Sequence, residues 1–207
     1  ANPNNPTGTF ITKDEVKRLH KLIPSNVILV YDAAYSEYIN DSQYIDGSEL
    51  ANKYANVIML RTFSKLHGLA SLRLGWGYCS EYILNTLMKV RGPFSVNTCA
   101  MLAGTAAIED IDFQEKSISH NKAWMQWFEN ELKHLKLDFQ KSVTNFLLVK
   151  FPETKDHNAQ NAENFLADRG ILVRGMKVYG LPNHLRISIG NEIENKTLIK
   201  ELKIFLE

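Results

Sequence analysis

Arg61-Thr-Phe-Ser-Lys65-Leu-His-Gly-Leu-Ala-Ser-Leu-Arg73-Leu-Gly75 joins two apolar runs, Asn56-Val-Ile-Met-Leu-Arg61 and Leu74-Gly-Trp-Gly-Tyr-Cys79. Both runs read as buried strands, so Lys65 is expected on the loop between them. Lysine is a poor packing residue at such a place. Held in a partly dry pocket, it gives up its proton more readily and becomes an amine nucleophile. Thr62, Ser64 and Ser71 offer hydroxyls, Gly68 and Gly75 allow close backbone approach, and Arg73 adds a fixed charge. Hydroxyls, backbone N–H groups and a guanidinium are what a phosphate dianion needs.

Working outward, Asn26-Val-Ile-Leu-Val-Tyr31 is a continuous apolar run, the mark of a buried parallel strand, and Asp32 closes it. Thr12-Lys-Asp-Glu15 is a capping box opening a helix to about Leu22, and a short helix is expected near Ser48 to Tyr54. Helix, strand, helix and strand in this order predict an α/β parallel sheet. Ligands of open sheets sit beyond the carboxyl ends of the strands, where both Asp32 and Lys65 fall. An amine beside a phosphate site suits a phosphorylated carbonyl compound, and pyridoxal phosphate fits. Its pyridine nitrogen works best protonated, a state that a carboxylate such as Asp32 would hold. Tyr35 could donate to the ring's phenolic oxygen. Asn2-Pro-Asn-Asn-Pro-Thr-Gly8 fixes a turn from which Asn5 can offer its amide to an anionic oxygen. Arg174 and Arg186 lie on short apolar strands and could clamp an anionic substrate group. Taken singly, each residue has a plainer reading: a solvated lysine, a turn aspartate, a core tyrosine, surface arginines.

Beyond Cys79 the pattern turns helical, at Glu81 to Val90, Asn97 to Ile108 and Asp112 to about Leu137. Asn145 to Phe151, Gly170 to Arg174 and His184 to Ile189 then read as strands, with helices over Asn158 to Arg169 and Glu192 to Leu206. We expect a partial cofactor-binding large domain over 1–120 and a small α+β domain over 121–207, entered through the long helix. The start, Ala1-Asn-Pro-Asn-Asn-Pro-Thr-Gly8, falls within a turn, and a cut through a larger fold is expected.

The bulk composition excludes several classes. With 24 basic and 23 acidic residues among 207 the net charge is +1, which favours neither nucleic acid nor an anionic membrane. No basic-then-apolar leader and no apolar run of membrane-spanning length is present, so a cytoplasmic location is the default expectation. Cys79 and Cys99 lack metal-ligand spacing and read as reduced core thiols.

Asn5-Pro-Thr-Gly8, Asp32-x-x-Tyr35, Thr62-x-Ser64-Lys65 and Arg73, in this order and spacing, resemble the signature of the aspartate-aminotransferase-like, fold-type-I pyridoxal phosphate enzymes. Within that group the chain is most similar to the histidinol-phosphate aminotransferase family. The segments that carry this are Ser64 to Gly77, Arg91-Gly-Pro-Phe-Ser-Val-Asn97 and Val178-Tyr-Gly-Leu-Pro-Asn-His-Leu-Arg-Ile-Ser-Ile-Gly190. The resemblance covers essentially the whole chain. It implies that Lys65 forms the Schiff base with pyridoxal 5'-phosphate and later shuttles a proton. By the same resemblance Asp32 pairs with the pyridine nitrogen, Asn5 and Tyr35 hold the phenolic oxygen, and Thr62, Ser64 and Arg73 hold the phosphate. Arg186 matches the arginine that takes the substrate carboxylate in most aminotransferases; for histidinol phosphate it would take the phosphate, with Arg174 as helper.

The resemblance further implies a transamination from histidinol phosphate to 2-oxoglutarate, giving imidazole-acetol phosphate and glutamate in histidine biosynthesis, by a homodimer with shared active sites. It also implies a further stretch of chain ahead of Asn2, with a Gly-containing phosphate loop and an aromatic residue stacked on the cofactor. Threonine-phosphate decarboxylase and an aromatic or aspartate aminotransferase are the alternatives within the group. A non-catalytic fragment is the alternative from another class. A Schiff-base aldolase would not need Asp32 and would show an eightfold βα repeat.

Overall fold

The computed structural model describes residues 1–207, which divide into two compact units. The first comprises Ala1–Pro3 and Phe10–Ile118, the second Asn4–Thr9 and Ser119–Glu207.

In the first unit α1 (Lys13–Leu22) starts at the expected capping box, Thr12 and Glu15 satisfying each other's backbone N–H groups. β1 (Leu29–Asp32), α2 (Ser48–Lys53) and β2 (Val57–Thr62) follow, and β1 and β2 pair in parallel with Asp32 opposite Leu60. β3 (Gly75–Cys79) pairs with β2 antiparallel, Thr62 opposite Gly75. The parallel pairing expected of the two strands around α2 is present, and β3 adds an antiparallel edge to it. The connection from Phe63 to Leu74 contains no crossover helix, and a chain that returns without one comes back antiparallel. Nor is β3 buried: Trp76 and Tyr78 are exposed, as is Val30 on β1. These edge strands cover only one face with this unit's core, which is built from Val16, Tyr31, Ala33, Leu50, Val57 and Met59. α3 (Glu81–Val90) and α4 (Thr98–Glu109) are capped by the side chains of Ser80 and Asn97. Cys99 stands exposed on the first turn of α4, which corrects its reading as a core thiol.

The unit boundary falls within α5 (Ile111–His134). The second unit continues through β4 (Asp138–Gln140), β5 (Phe146–Lys150), α6 (Ala159–Ala167), β6 (Arg174–Gly175), β7 (His184–Ser188) and α7 (Glu192–Leu206). Its sheet runs β4-β5-β7-β6 and is antiparallel throughout. Phe128, Leu132, Leu147, Val149, Leu166 and Leu202 are fully enclosed between sheet and helices. The strand expected over Gly170 to Arg174 shrinks to Arg174–Gly175. The N–H of Ile171 bonds back to Leu166, so the preceding residues complete the helix exit rather than a ladder. No helix is long and apolar enough to cross a membrane.

Candidate active site

Most of the expected cofactor residues come together in the first unit, at the carboxyl end of the parallel pair. Asp32 is the last residue of β1, and its Oδ1 accepts the N–H of Ala34 at 3.1 Å. The carboxylate is exposed although Asp32 is paired with Leu60 in the ladder, because it shares the open face of β1 with Val30 while Tyr31 takes the core face. A polar network fixes this strand end. The N–H of Asn2 donates to the Asp32 carbonyl at 2.9 Å. Asn2 Nδ2 donates to the Tyr31 hydroxyl at 2.5 Å, Tyr31 to the Ile45 carbonyl at 2.6 Å, and Tyr44 to the Asn2 carbonyl at 2.9 Å. Burial pushes the Tyr31 and Tyr44 phenols upward, so they stay neutral donors. Sequence reading missed this support; its signal was an asparagine beside a proline, which is common to many turns.

The Lys65 loop is folded back on itself. Ser64 N–H donates to Thr62 Oγ1 at 3.0 Å, Gly68 N–H to the Lys65 carbonyl at 3.1 Å and Leu69 N–H to the Phe63 carbonyl at 2.9 Å. Gly68 has φ +68°, a turn conformation that costs glycine nothing. Phe63 and Leu66 are buried on either side of Lys65 and fix its backbone. The lysine makes no ion pair, and its Nζ lies 5.1 Å from the centroid of the buried Tyr35 ring. Arg73 takes the left-handed conformation, φ 53° and ψ 45°, and donates from Nη1 to the Ala70 carbonyl at 2.7 Å. A non-glycine residue in that region stores strain of about 1 kcal/mol, and such outliers gather at ligand-holding sites.

Asn5, Arg174 and Arg186 belong to the second unit. Arg186 Nη1 donates to Asn5 Oδ1 at 2.7 Å, and the guanidinium lies over the Phe146 ring, 5.1 Å from its centroid. Its Nε is buried and has no hydrogen-bond partner. Arg174 is exposed on β6 directly opposite Arg186 in the ladder, so both side chains leave the same sheet face. The Asn5–Arg186 link spans 181 positions of sequence, and no spacing rule could have announced it.

A lysine free of carboxylates, hydroxyls and an arginine on one loop, and an acid at the neighbouring strand end are assembled in one unit. The model of class I and II aminotransferases matches residues 1–202. The chain belongs to the class I and II aminotransferase family. Among curated members of this family, the histidinol-phosphate aminotransferase of Maricaulis maris is 47% identical over all 207 residues, which are 57% of that protein. That of Nitrobacter hamburgensis is 46% identical over 206 residues, 56% of its length. The chain therefore spans little more than half the length of these aminotransferases. The solved histidinol-phosphate aminotransferase of Sinorhizobium meliloti, in complex with pyridoxal-5'-phosphate, superposes with a TM-score of 0.88 at 28% identity. The match covers 99% of this chain and 56% of that one. Aspartate aminotransferase from Thermus thermophilus, at 18% identity and a TM-score of 0.83, shares the fold of this family member.

Proposed function

We propose that this chain is part of a pyridoxal phosphate-dependent aminotransferase acting on histidinol phosphate with 2-oxoglutarate as acceptor. The observation that carries the reading is Lys65, unpaired and held between Phe63 and Leu66 with its amine over the Tyr35 ring. An amine with no carboxylate beside it keeps its nitrogen open to a carbonyl carbon. The residues of the first unit fit the cofactor's demands. Arg73, Thr62 and Ser64 would take its phosphate, Asp32 its pyridine nitrogen and Tyr35 its phenolic oxygen. Bound there, the cofactor supplies an electron sink for the carbon that loses and regains a proton. Lys65 Nζ moves that proton, and the Asp32 carboxylate, with one oxygen already taken by Ala34, offers the other.

Arg186 and Arg174 would hold the substrate's anionic group. The buried, unpartnered Nε of Arg186 supports this, because a guanidinium takes phosphate through two parallel N–H groups. Identity of 43–47% to histidinol-phosphate aminotransferases supports phosphate over carboxylate as that group. Under this reading residues 1–120 are part of the large domain and 121–207 the small one. The location would be cytoplasmic and the assembly a homodimer; the exposed Leu87, Met88, Val90 and Phe94 are suited to such an interface.

The test begins with pyridoxal phosphate added to the chain. A new long-wavelength absorbance band is expected, lost in Lys65→Ala and retained in Lys53→Ala. A band that survives Lys65→Ala overturns the assignment of the amine. Transamination of histidinol phosphate against phenylalanine and threonine phosphate, measured on the longer protein, then checks the substrate; no turnover of histidinol phosphate refutes it.

A further inference from the structure

We infer that Glu163 is a positioning residue for the anion-binding arginine pair, acting by fastening the edge strand that carries Arg174. The inference rests on the proposed role of Arg174 and Arg186. β6 is only two residues long and lies at the edge of the four-stranded sheet. Its register sets Arg174 opposite Arg186 and Gly175 opposite Leu185. One residue further, Met176 donates its N–H to the His184 carbonyl at 3.2 Å. In an antiparallel ladder alternate N–H groups point to opposite sides, so the Gly175 N–H points off the sheet edge. Glu163, half-buried on α6, accepts it there through Oε1 at 3.0 Å. The other oxygen, Oε2, takes the Gln160 amide at 3.5 Å. The fit is close: a Cβ on residue 175 would stand 2.4 Å from Glu163 Oε2, so a larger residue there would push the carboxylate from its present position.

An edge strand of this length has few anchors of its own. The carboxylate adds a charge-assisted one at the residue next to Arg174. Released, the strand would fray, and Arg174 would no longer be held opposite Arg186. The anion would then meet one guanidinium instead of two.

Charge makes the inference separable from its rivals. Glu163, Arg174 and Lys177 line one surface cavity of about 240 Å³. Were Glu163 merely a nearby negative charge, its removal would strengthen anion binding. If it fastens the strand, its removal weakens binding. The experiment is calorimetric titration of the 207-residue chain with histidinol phosphate and, separately, inorganic phosphate. Arg174→Ala and Arg186→Ala should each weaken binding by about tenfold, the loss of one charge-assisted contact. Glu163→Ala should weaken it by roughly fivefold or more. Glu163→Gln keeps a carbonyl acceptor and should recover most of that loss. Gly175→Ala, which displaces the carboxylate from the other side, should behave like Glu163→Ala and stands in for it if that variant does not fold. Unchanged or tighter binding in Glu163→Ala and Gly175→Ala, with binding lost in Arg174→Ala, refutes the positioning role and leaves the arginine pair standing. No binding by the parent chain, or none lost in the arginine variants, refutes the pair and this inference with it.

Discussion

Asn5→Ala tests the most distant contact in the second unit. Asn5 Oδ1 is the acceptor for Arg186 Nη1 at 2.7 Å, and Nε of the same guanidinium is already buried without a partner. Removing the amide therefore leaves a half-buried charge stacked on Phe146 with its hydrogen bond gone. A hydrogen bond to a charged group contributes about 1.5–3 kcal/mol. Taking about 2 kcal/mol, and about 2–4 °C per kcal/mol for a chain of this length, the thermal midpoint should fall by about 4–8 °C. Burial of the guanidinium is partial, so solvent replaces some of the loss and the lower end is expected. The assay is a double-mutant cycle of Asn5→Ala, Arg186→Met and the pair, followed by calorimetry. Methionine keeps the packing on Phe146 without the charge. The coupling energy should be about 1–2 kcal/mol. Coupling below about 0.3 kcal/mol would refute the claim that this bond fastens residues 4–9 to β7.

Arg73→Gly should leave stability within about 1 kcal/mol of the parent, because relief of the left-handed strain offsets glycine's greater freedom when unfolded. The same variant should bind pyridoxal phosphate at least about tenfold more weakly; equal affinity by absorbance titration would refute the phosphate role. Phe128→Ala, fully enclosed in the second core, should cost about 3–5 kcal/mol in denaturant unfolding, and a cost under about 1 kcal/mol would contradict that packing. Alkaline titration should show folding stability lost from about pH 10 upward. Burial first, then Glu37 and Tyr35, push Tyr38 to about 12, and burial raises Tyr31 and Tyr44 as well. The folded state thus keeps protons that the unfolded chain releases, so stability falls as pH climbs through that window. Tyrosinate absorbance that develops fully without unfolding would contradict it. Acid should act through His184, held below its ordinary value by burial and then by Lys150. Its contribution is present above pH 6.5 and lost below it, a loss that His184→Gln should abolish.

The helices were the most legible part of the chain. The Thr12–Glu15 box and Ser80 state their starting points chemically, and α3 and α7 begin and end where the sequence pattern places them. Strands were less legible because apolar runs do not report pairing. Nothing in Leu74 to Cys79 distinguishes a parallel neighbour from an antiparallel one; the absence of a helix in the preceding loop does. β4 is three residues with an exposed charge at its start, too short to leave an alternating pattern. Lys65 and Arg73 lie on the loop and Thr62 and Asp32 at the strand ends where the sequence pattern places them, because the apolar runs on either side mark those ends. The Asn2–Tyr31–Tyr44 network and the Glu163–Gly175 contact were not legible, since each depends on which backbone groups face outward after folding.

The path of the chain has a practical consequence. Residues 4–9 cluster with the second unit although their neighbours on both sides belong to the first, so the backbone passes between the units at 3/4, at 9/10 and at 118/119. A protease cut between Ile118 and Ser119 would leave two pieces, and the amino-terminal piece would carry Asn5 away from the arginine it serves. A gene segment encoding 119–207 alone would likewise yield a domain short of one of its own turns. Grafting residues 4–9 onto that segment through a short linker is the minimal way to ask whether the smaller unit folds by itself.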